Sequence, residues 1–375
     1  MDALRITLKA LTPLWAGGVD GTCDRLHETG IIGSLRWWYE ALVRGLGGYA
    51  CDPTSENRCP DKDGNRCAAC ELFGCTGWAR KFRLRVSDGN RLFKGQNVLI
   101  PSRRFHQSRA GGWFVFSESR IGGIEFELIP LRSIDLAPIS TILSLISRHS
   151  SLGAKGSNGY GVIQAQSIQP QLTWLDAFPG SSPLRNQSLP DFRDFFFAKL
   201  QFDEPADNKS WWQNIYGIQQ AVNGKLDDGI SPRPLQTRKG EIEQMIRRGI
   251  LPLAPAIRNW LRYIWKHGLN RDQEQYVFGD ARSAIGSKIL TSYAYRLDNS
   301  PKWEFRIWGW LPCTGVIKDR DKFLQTLKDQ LDGEALWRYV FGKTWVTPAL
   351  QEWYVLPCDQ TDGRDYLQKL LGGAA

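Results

Sequence analysis

The chain has 375 residues, with 48 Lys and Arg against 39 Asp and Glu, a formal net charge of +9. At roughly 100–200 residues per domain this length excludes a single small module, and 42% hydrophobic with 23% charged residues excludes wholesale disorder. The positive surplus points to polyanionic partners, nucleic acid first among them.

Leu4, Ile6 and Leu8 alternate with Arg5, Thr7 and Lys9, the period of a half-buried strand, and the run stops at Thr12-Pro13. These first residues put an acid and a base where a signal peptide needs an apolar core, and no apolar run reaches the roughly 18 residues of a membrane span. A cytoplasmic protein without membrane partners is expected. After Gly17, Gly18 and Gly21, apolar residues including Ile32, Leu35, Trp38, Leu42 and Leu46 recur at helical spacing from Ile31 to Leu46, where Gly47-Gly48 supplies a stop. Phe82, Leu84 and Val86 alternate with Lys81, Arg83 and Arg85, predicting a strand with a basic outer face. A strand through Ile124 to Pro130, a helix from Ala137 to Ser150 and a strand from Tyr160 to Ile168 complete the first half. The order strand, helix, strand, strand, helix, strand is that of ferredoxin-like domains, a fold shared by common single-stranded RNA binders (RRM-like).

Residues 170–190, with Pro179-Gly180-Ser181-Ser182-Pro183, read as a linker. Beyond Asp191 come a strand from Phe195 to Phe202, a helix from Ala256 to His267, strands over Lys288 to Leu297 and Trp303 to Trp310, and a helix from Asp319 to Tyr339. The expected fold class is therefore α+β, two tandem ferredoxin-like domains at 1–169 and 191–375. The halves also share motifs: Leu35-Arg36-Trp37 matches Leu261-Arg262-Tyr263, and Leu72-Phe73-Gly74 matches Val277-Phe278-Gly279. The motifs stand 37 positions apart in the first half and 16 in the second, so the first carries an insertion of about 21 residues, at about 49–70.

That insertion holds the cysteines. Cys51, Cys59, Cys67, Cys70 and Cys75 lie within 25 positions, while Cys23, Cys313 and Cys358 are scattered. A reducing cytosol argues against disulfides for all eight. Cys67 and Cys70 form a C-x2-C pair whose bite suits one tetrahedral ion, and Cys51 and Cys59 can complete the set. An insertion this short has no core of its own, so structural zinc would supply its folding energy. Cys75 reads as a packed thiol and His27 as a substitute ligand; the plainer alternative is a surface loop or a redox pair at Cys67 and Cys70.

From Arg80 to Arg109 nine bases face one acid, Asp88, which concentrates +8 of charge in 30 residues. Strand alternation sets Lys81, Arg83 and Arg85 on one face, and Phe93 and Phe105 offer rings for base stacking. A solvated basic face is the bland alternative. Gly153-Ala154-Lys155-Gly156-Ser157-Asn158-Gly159-Tyr160-Gly161 joins a helix to a strand, with glycines that let a phosphate approach and a lysine to meet it. It is not a P-loop. A comparable mixture runs from Gly279 to Lys288. Trp37-Trp38 and Trp211-Trp212 are adjacent pairs; neighbours on a helix point about 100° apart, which leaves one member of each able to face a groove or a partner, while core packing is the role expected of most tryptophans.

Thr12-Pro13-Leu14-Trp15 with Gly17-Gly18, Thr29-Gly30-Ile31-Ile32-Gly33-Ser34-Leu35-Arg36-Trp37-Trp38-Tyr39, Glu71-Leu72-Phe73-Gly74 and the loop from Gly153 to Gly161 together resemble the RAMP proteins of CRISPR systems. The resemblance is greatest to the first-numbered RAMP subunit of the type III-B (Cmr) effector complex. It covers residues 4 to 168, and the second half joins it through its length, Phe278-Gly279 and Gly286-Ser287-Lys288. It implies a non-catalytic, RNA-binding subunit of an antiviral ribonucleoprotein, sited near the 3′ end of the guide RNA and helping to capture single-stranded target RNA beside other RAMP subunits. The RNA-binding residues expected are Arg36, Arg80, Lys81, Arg83, Arg85, Arg103, Arg104, Lys155 and Lys288. The zinc expectation rests on cysteine spacing alone. Some RAMP relatives are metal-independent endoribonucleases that process guide RNA with a histidine as acid or base; His27, His106, His149 and His267 are the candidates for that alternative. A protein-only assembly scaffold is a further rival.

Overall fold

A computed structural model of the protein describes residues 3–56, 58–101, 112–166, 168, 170, 172–178, 189–205, 209–224, 237–298, 300–344 and 346–372. Arg103, Arg104 and His106, and most of the expected linker, lie outside the described residues.

The first half runs β1 (Leu4–Leu14), α1 (Glu28–Gly45), α2 (Ala68–Phe73), β2 (Phe82–Val86), β3 (Asn90–Arg91), β4 (Val98–Pro101), β5 (Gly112–Val115), β6 (Arg120–Pro130), α3 (Ala137–His149) and β7 (Ile163–Gln166). Its antiparallel sheet has the order β2-β6-β1-β7 with β3 also on β6, and β4 pairs with β5 apart from it. The alternation in β1 does what its period dictates: Ile6 and Leu8 are buried while Arg5 turns outward to pair with Glu127 of β6 at 3.1 Å. On α1 the stripe Ile31, Leu35, Trp38 and Leu42 is buried, with Glu28 in the first turn and Arg44 in the last, the charges that suit the helix dipole.

The second half runs β8 (Phe195–Asp203), α4 (Ile218–Asn223), α5 (Lys239–Arg247), β9 (Ile250–Leu251), α6 (Ala254–Tyr263), α7 (Arg271–Phe278), β10 (Ile289–Thr291), β11 (Ala294–Arg296), β12 (Lys302–Trp310), α8 (Arg320–Asp332), α9 (Glu334–Phe341), β13 (Ala349–Val355) and α10 (Gly363–Gly372). The sheet order is β13-β8-β12-β11-β9, with β10 also on β12. In both sheets the first long strand lies between a long later strand and the last one. Among the described residues the protein is thus a mixed α+β chain built on two large sheets and a small one.

Several expected elements change shape. The helix from Asp319 to Tyr339 is two helices, because Gly333 is extended at ψ 162° and breaks α8 from α9. The strand Lys288 to Leu297 splits into β10 and β11 around Ser292-Tyr293, and Tyr293 donates its amide across to Gly159. β13 and α10 were not anticipated; β13 is half-buried almost throughout and shows no clean alternation. Trp211 and Trp212 are both buried, in keeping with the core-packing role expected of most tryptophans, and neither faces a groove: they sit in a short 3-10 turn, and Trp211 packs on Phe202, Trp303 and Phe341.

One disulfide corrects the expectation that all cysteines stay reduced. Cys313 and Cys358 are bonded, with Cα atoms 5.4 Å apart across 45 residues of sequence. The loop after β12 and the chain leaving β13 converge at the start of α8, where Asp321 accepts the Cys358 amide at 2.8 Å and Arg320 donates to the Leu356 carbonyl at 2.6 Å. Sequence spacing carries no trace of that convergence.

The halves meet through aromatic and capping contacts. Trp37 and Trp38 pack on Trp310 at 5.0 and 5.1 Å, and Trp38 also on Phe195. Arg306 of β12 donates to the carbonyls of Ile146, Ser147 and Ser150, satisfying the open C-terminal end of α3 with a cation. Among the described residues no helix is long and apolar enough to cross a membrane.

Candidate metal centre and nucleic-acid interface

The insertion folds around its cysteines. Cys51, Cys59, Cys67 and Cys70 are all buried, and their sulfurs lie within 4.8 Å of one another. Cys51 Sγ is 3.6 Å from Cys70 Sγ and 3.8 Å from Cys67 Sγ. A tetrahedron of about 2.3 Å metal–sulfur bonds sets its sulfurs about 3.8 Å apart, so the cage already has the size of a thiolate metal site. Backbone amides support it: Cys67 N donates to Cys59 Sγ at 3.2 Å, and Cys67, the N-cap of α2, accepts from Cys70 N at 3.4 Å. Burial, and then the nearby Cys67, push the Cys70 thiol up, since thiolates packed this closely need a cation among them. The cluster can hold a metal ion, with four ligands and no open position. Cys75 lies outside it, half-buried with its sulfur toward Thr76 O, and His27 pairs instead with Asp24 at 2.7 Å.

Arg36 stands beside this cage. Its Nη2 donates to Cys70 Sγ at 3.1 Å, its Nη1 to Gly74 O at 2.7 Å and its Nε to Glu40 at 2.8 Å. The matching motif of the second half behaves alike: Arg262 donates through Nη1 to Gly279 O at 2.7 Å and through Nε to Glu274 at 3.2 Å. Gly74 (φ 88°, ψ 161°) and Gly279 (φ 80°, ψ 159°) share one backbone conformation, in the positive-φ region that favours glycine. The repeated Leu-Arg and Phe-Gly words are the two ends of one hydrogen bond, made twice.

The basic strand is partly neutralised. Phe82 and Leu84 are buried and Arg83 and Arg85 exposed, as the alternation requires. Lys81 pairs with Glu71, however, and Arg85 reaches Glu127 at 3.3 Å. Arg80 is half-buried, donates to Phe82 O at 2.7 Å and lies over the Phe82 ring. A second cationic cluster gathers on Trp78, where Arg66, Lys81 and Arg132 approach the ring, Arg66 at 3.9 Å.

In the Gly-rich loop Lys155 adopts φ 62° and lays its ammonium 4.2 Å from the Phe116 ring and 4.6 Å from the Trp15 ring. Burial lowers its pKa. Gly159 touches the second half, with its carbonyl accepting from Tyr293 N at 2.9 Å. Lys155 thereby lines a cleft between the halves together with Arg258 and Arg262 of α6, Trp113 and Phe114 of β5, and the loop from Gly279 to Ser287. Lys288 stands outside that lining, its ammonium over the Tyr276 ring at 5.3 Å and its pKa also lowered by burial. Arg258, Trp113 and Tyr263 were not anticipated, although Arg258 and Arg262 stand one helical turn apart on α6, which a search for paired bases could have found.

The histidines are placed as follows. His149 is buried, its Nε2 2.8 Å from Leu370 O, and burial pushes its pKa down to about 3 despite that carbonyl. His267 lies between Trp265 and Phe278 and accepts the Leu269 amide at Nδ1.

Residues 7–164 match the family model of the RAMP superfamily. No curated protein matches the chain in sequence. Among solved structures, Cmr1 from Pyrococcus furiosus in its apo form is similar over 93% of this chain and 98% of its own, at 12% identity and a TM-score of 0.40. A chain of a type III-B Cmr-beta complex bound to cognate target RNA is similar over 90% of this chain and 99% of its own, at 12% identity and 0.40. A chain of a type IV-B CRISPR complex is similar over 49% of this chain and 96% of its own, at 16% identity and 0.31.

Proposed function

We propose, from the match of residues 7–164 to the RAMP superfamily model, that the protein is a non-catalytic RNA-binding subunit of a type III-B CRISPR effector ribonucleoprotein. It sits near the 3′ end of the guide RNA, beside other RAMP subunits, and helps to capture target RNA. The two halves are read as tandem ferredoxin-like domains, in support of which each sheet places its first long strand between two later ones. The four-cysteine cage holds structural zinc that fixes the insertion on α1.

The observation that carries the reading is the family match itself, whose span contains both the basic strand and the Gly-rich loop. Exposed Arg83 and Arg85 and the loop lysine Lys155 are the groups we assign to the RNA backbone. Arg36 has a positioning role, since it ties α1 to Cys70 of the insertion and to the Gly74 carbonyl just beyond it.

A filter-binding titration of single-stranded RNA tests this. Affinity is expected to fall steeply with salt, and charge reversal at Arg83, Arg85 or Lys155 to reduce the log–log slope by about 0.7 for each phosphate that is no longer neutralised. Salt-independent binding, or none, overturns the reading. Incubation with labelled guide RNA tests the endoribonuclease alternative: clean cleavage abolished by a change at His27, His106 or His267 would replace the proposal with that one.

A further inference from the structure

The cleft between the halves has a volume of about 500 Å³, within the range of roughly 300–1,000 Å³ typical of small-molecule sites. One wall is aromatic: Trp113, Phe114 and Phe116, with Tyr263 contributed by the second half. Phe114 is 46% exposed, an unusual state for a phenyl ring with a cleft beside it. The polar groups converge from both halves. Arg258 donates through Nη1 to Ile289 O at 2.7 Å and Ser287 Oγ at 3.2 Å, and its guanidinium stacks 5.0 Å from the Trp113 ring, while its Nε has no partner among the described residues. Asn259 is buried with Nδ2 on Tyr339 and Oδ1 unpartnered among the described residues; turning the amide over would only exchange which atom is left free.

The charge balance is one-sided. Arg262 is compensated by Glu274 at 3.2 Å, which leaves Lys155 and Arg258 facing one carboxylate among the described residues of the lining, Asp280, whose Oδ2 accepts the amide and hydroxyl of Ser283. Neither Lys155 nor Arg258 pairs with a carboxylate among the described residues. A half-buried arginine held by neutral partners, Ser287 and Ile289, is stabilised by an incoming anion. A purely apolar ligand would leave that charge uncompensated, and an inorganic anion would leave the aromatic wall wet.

We propose that this cleft receives a single unstacked nucleobase of a bound RNA strand, with the attached phosphate turned toward Lys155 and Arg258. The proposal rests on the RNA-binding reading above and names what the seam between the halves takes. The ring stacks on the aromatic wall, where any base has a face to offer, and the free amide atom of Asn259 meets a polar edge of the base. The loop from Gly153 to Gly161 then acts as one lip of the cleft, which explains why it carries a lysine among glycines at the point where the halves touch.

The experiment uses the full chain and single-stranded RNA carrying 2-aminopurine at one position at a time. One position is expected to change its fluorescence on binding. That change should vanish in Phe114→Ala and Tyr263→Ala, each weakening RNA binding at least fivefold with an unaltered salt slope, while Tyr49→Ala, on an exposed side chain elsewhere, binds as the parent does. Circular dichroism confirms that the variants are folded, and direct titration with a nucleoside monophosphate reads the cleft without the rest of the strand. Steep salt-dependent RNA binding with no responsive position and no effect of either variant overturns the cleft proposal and leaves the RNA-binding reading standing. Saturable mononucleotide binding abolished in Phe114→Ala, without binding of long RNA, does the reverse. If neither ligand binds, both fall.

Discussion

The guanidinium of Arg36 donates to the sulfur of Cys70 at 3.1 Å. Through its other nitrogens the same group holds Glu40 and the Gly74 carbonyl, so one side chain ties the longest helix of the first half to the cysteine cage. Arg36→Ala strands Glu40, whose side chain is only 7% exposed, with Arg44 at 3.7 Å as its remaining partner. The expected cost is about 3 kcal/mol, the usual penalty for breaking a buried charge pair. Arg262→Ala leaves Glu274 at 30% exposure and costs nearer to 1 kcal/mol. Urea denaturation of the two variants decides whether this ordering holds; equal destabilisation contradicts it.

Removal of metal makes a different prediction. The insertion packs its four cysteines around a common centre, whereas the two sheets are packed by leucine, isoleucine and aromatic side chains in one core that runs through both halves. Chelation is therefore expected to extract close to one zinc per chain and to open the insertion to trypsin at Arg58, Lys62 or Arg66 before either sheet is cut. Cys67→Ser should be cut in the same way without chelator. Metal content near zero in freshly purified protein would remove the premise.

Gly159 lies where the halves touch, at φ 95°, and a Cβ there would come within 2.5 Å of Tyr293 Cδ1 and 2.8 Å of its backbone nitrogen. Gly159→Ala combines a left-handed backbone with an overpacked contact, a cost of roughly 2–5 kcal/mol. Gly33→Ala, on α1 with nothing within 4 Å of the added atom, is expected to be neutral or mildly stabilising. Thermal unfolding of the pair measures the contrast.

How much of this was legible beforehand differs by element. The strand periods around Ile6 and Leu84, the helix carrying Leu35 and Trp38, and the clustering of Cys51, Cys59, Cys67 and Cys70 all depend on neighbours close in sequence, and the residues themselves display them. The Leu-Arg and Phe-Gly repeats were visible as words, but that Arg36 and Arg262 each grip a glycine carbonyl depends on a partner 38 or 17 residues away. Arg306, read as one more strand residue, caps a helix of the other half. The cleft was hidden for the same reason: Trp113 and Arg258 lie in different halves, and no periodicity relates them.

The disulfide offers a test of that long-range closure. Cys313 and Cys358 stand 45 positions apart, with α8, α9 and β13 between them. On chain-entropy grounds a loop of that length is worth about 4 kcal/mol to the folded state. Cys313→Ser, or treatment with reductant, is expected to lower the unfolding midpoint of the second half while leaving metal binding in the first unchanged. An unaltered midpoint, with free thiols absent before reduction, contradicts the assignment of stability to this link.

His149 predicts the acid limb. It is buried against Phe197, Tyr354 and the Leu370 carbonyl, with Arg306, Lys199 and Arg148 nearby and Glu352 at 3.9 Å, and its pKa falls from 6.5 to about 3, chiefly through burial. The unfolded chain thus takes up a proton at this position between those values that the folded chain refuses. Its contribution is complete above pH 6.5 and is lost progressively as pH falls toward 3. At about 1.4 kcal/mol per unit, the step from pH 6.5 to 5 should cost the parent protein about 2 kcal/mol more than His149→Gln, which keeps a donor for Leu370 but cannot titrate. Other acid-sensitive groups are common to both proteins and cancel in the difference. Denaturation curves at the two pH values provide the comparison, and parallel declines in parent and variant would show that His149 is not the group that refuses the proton.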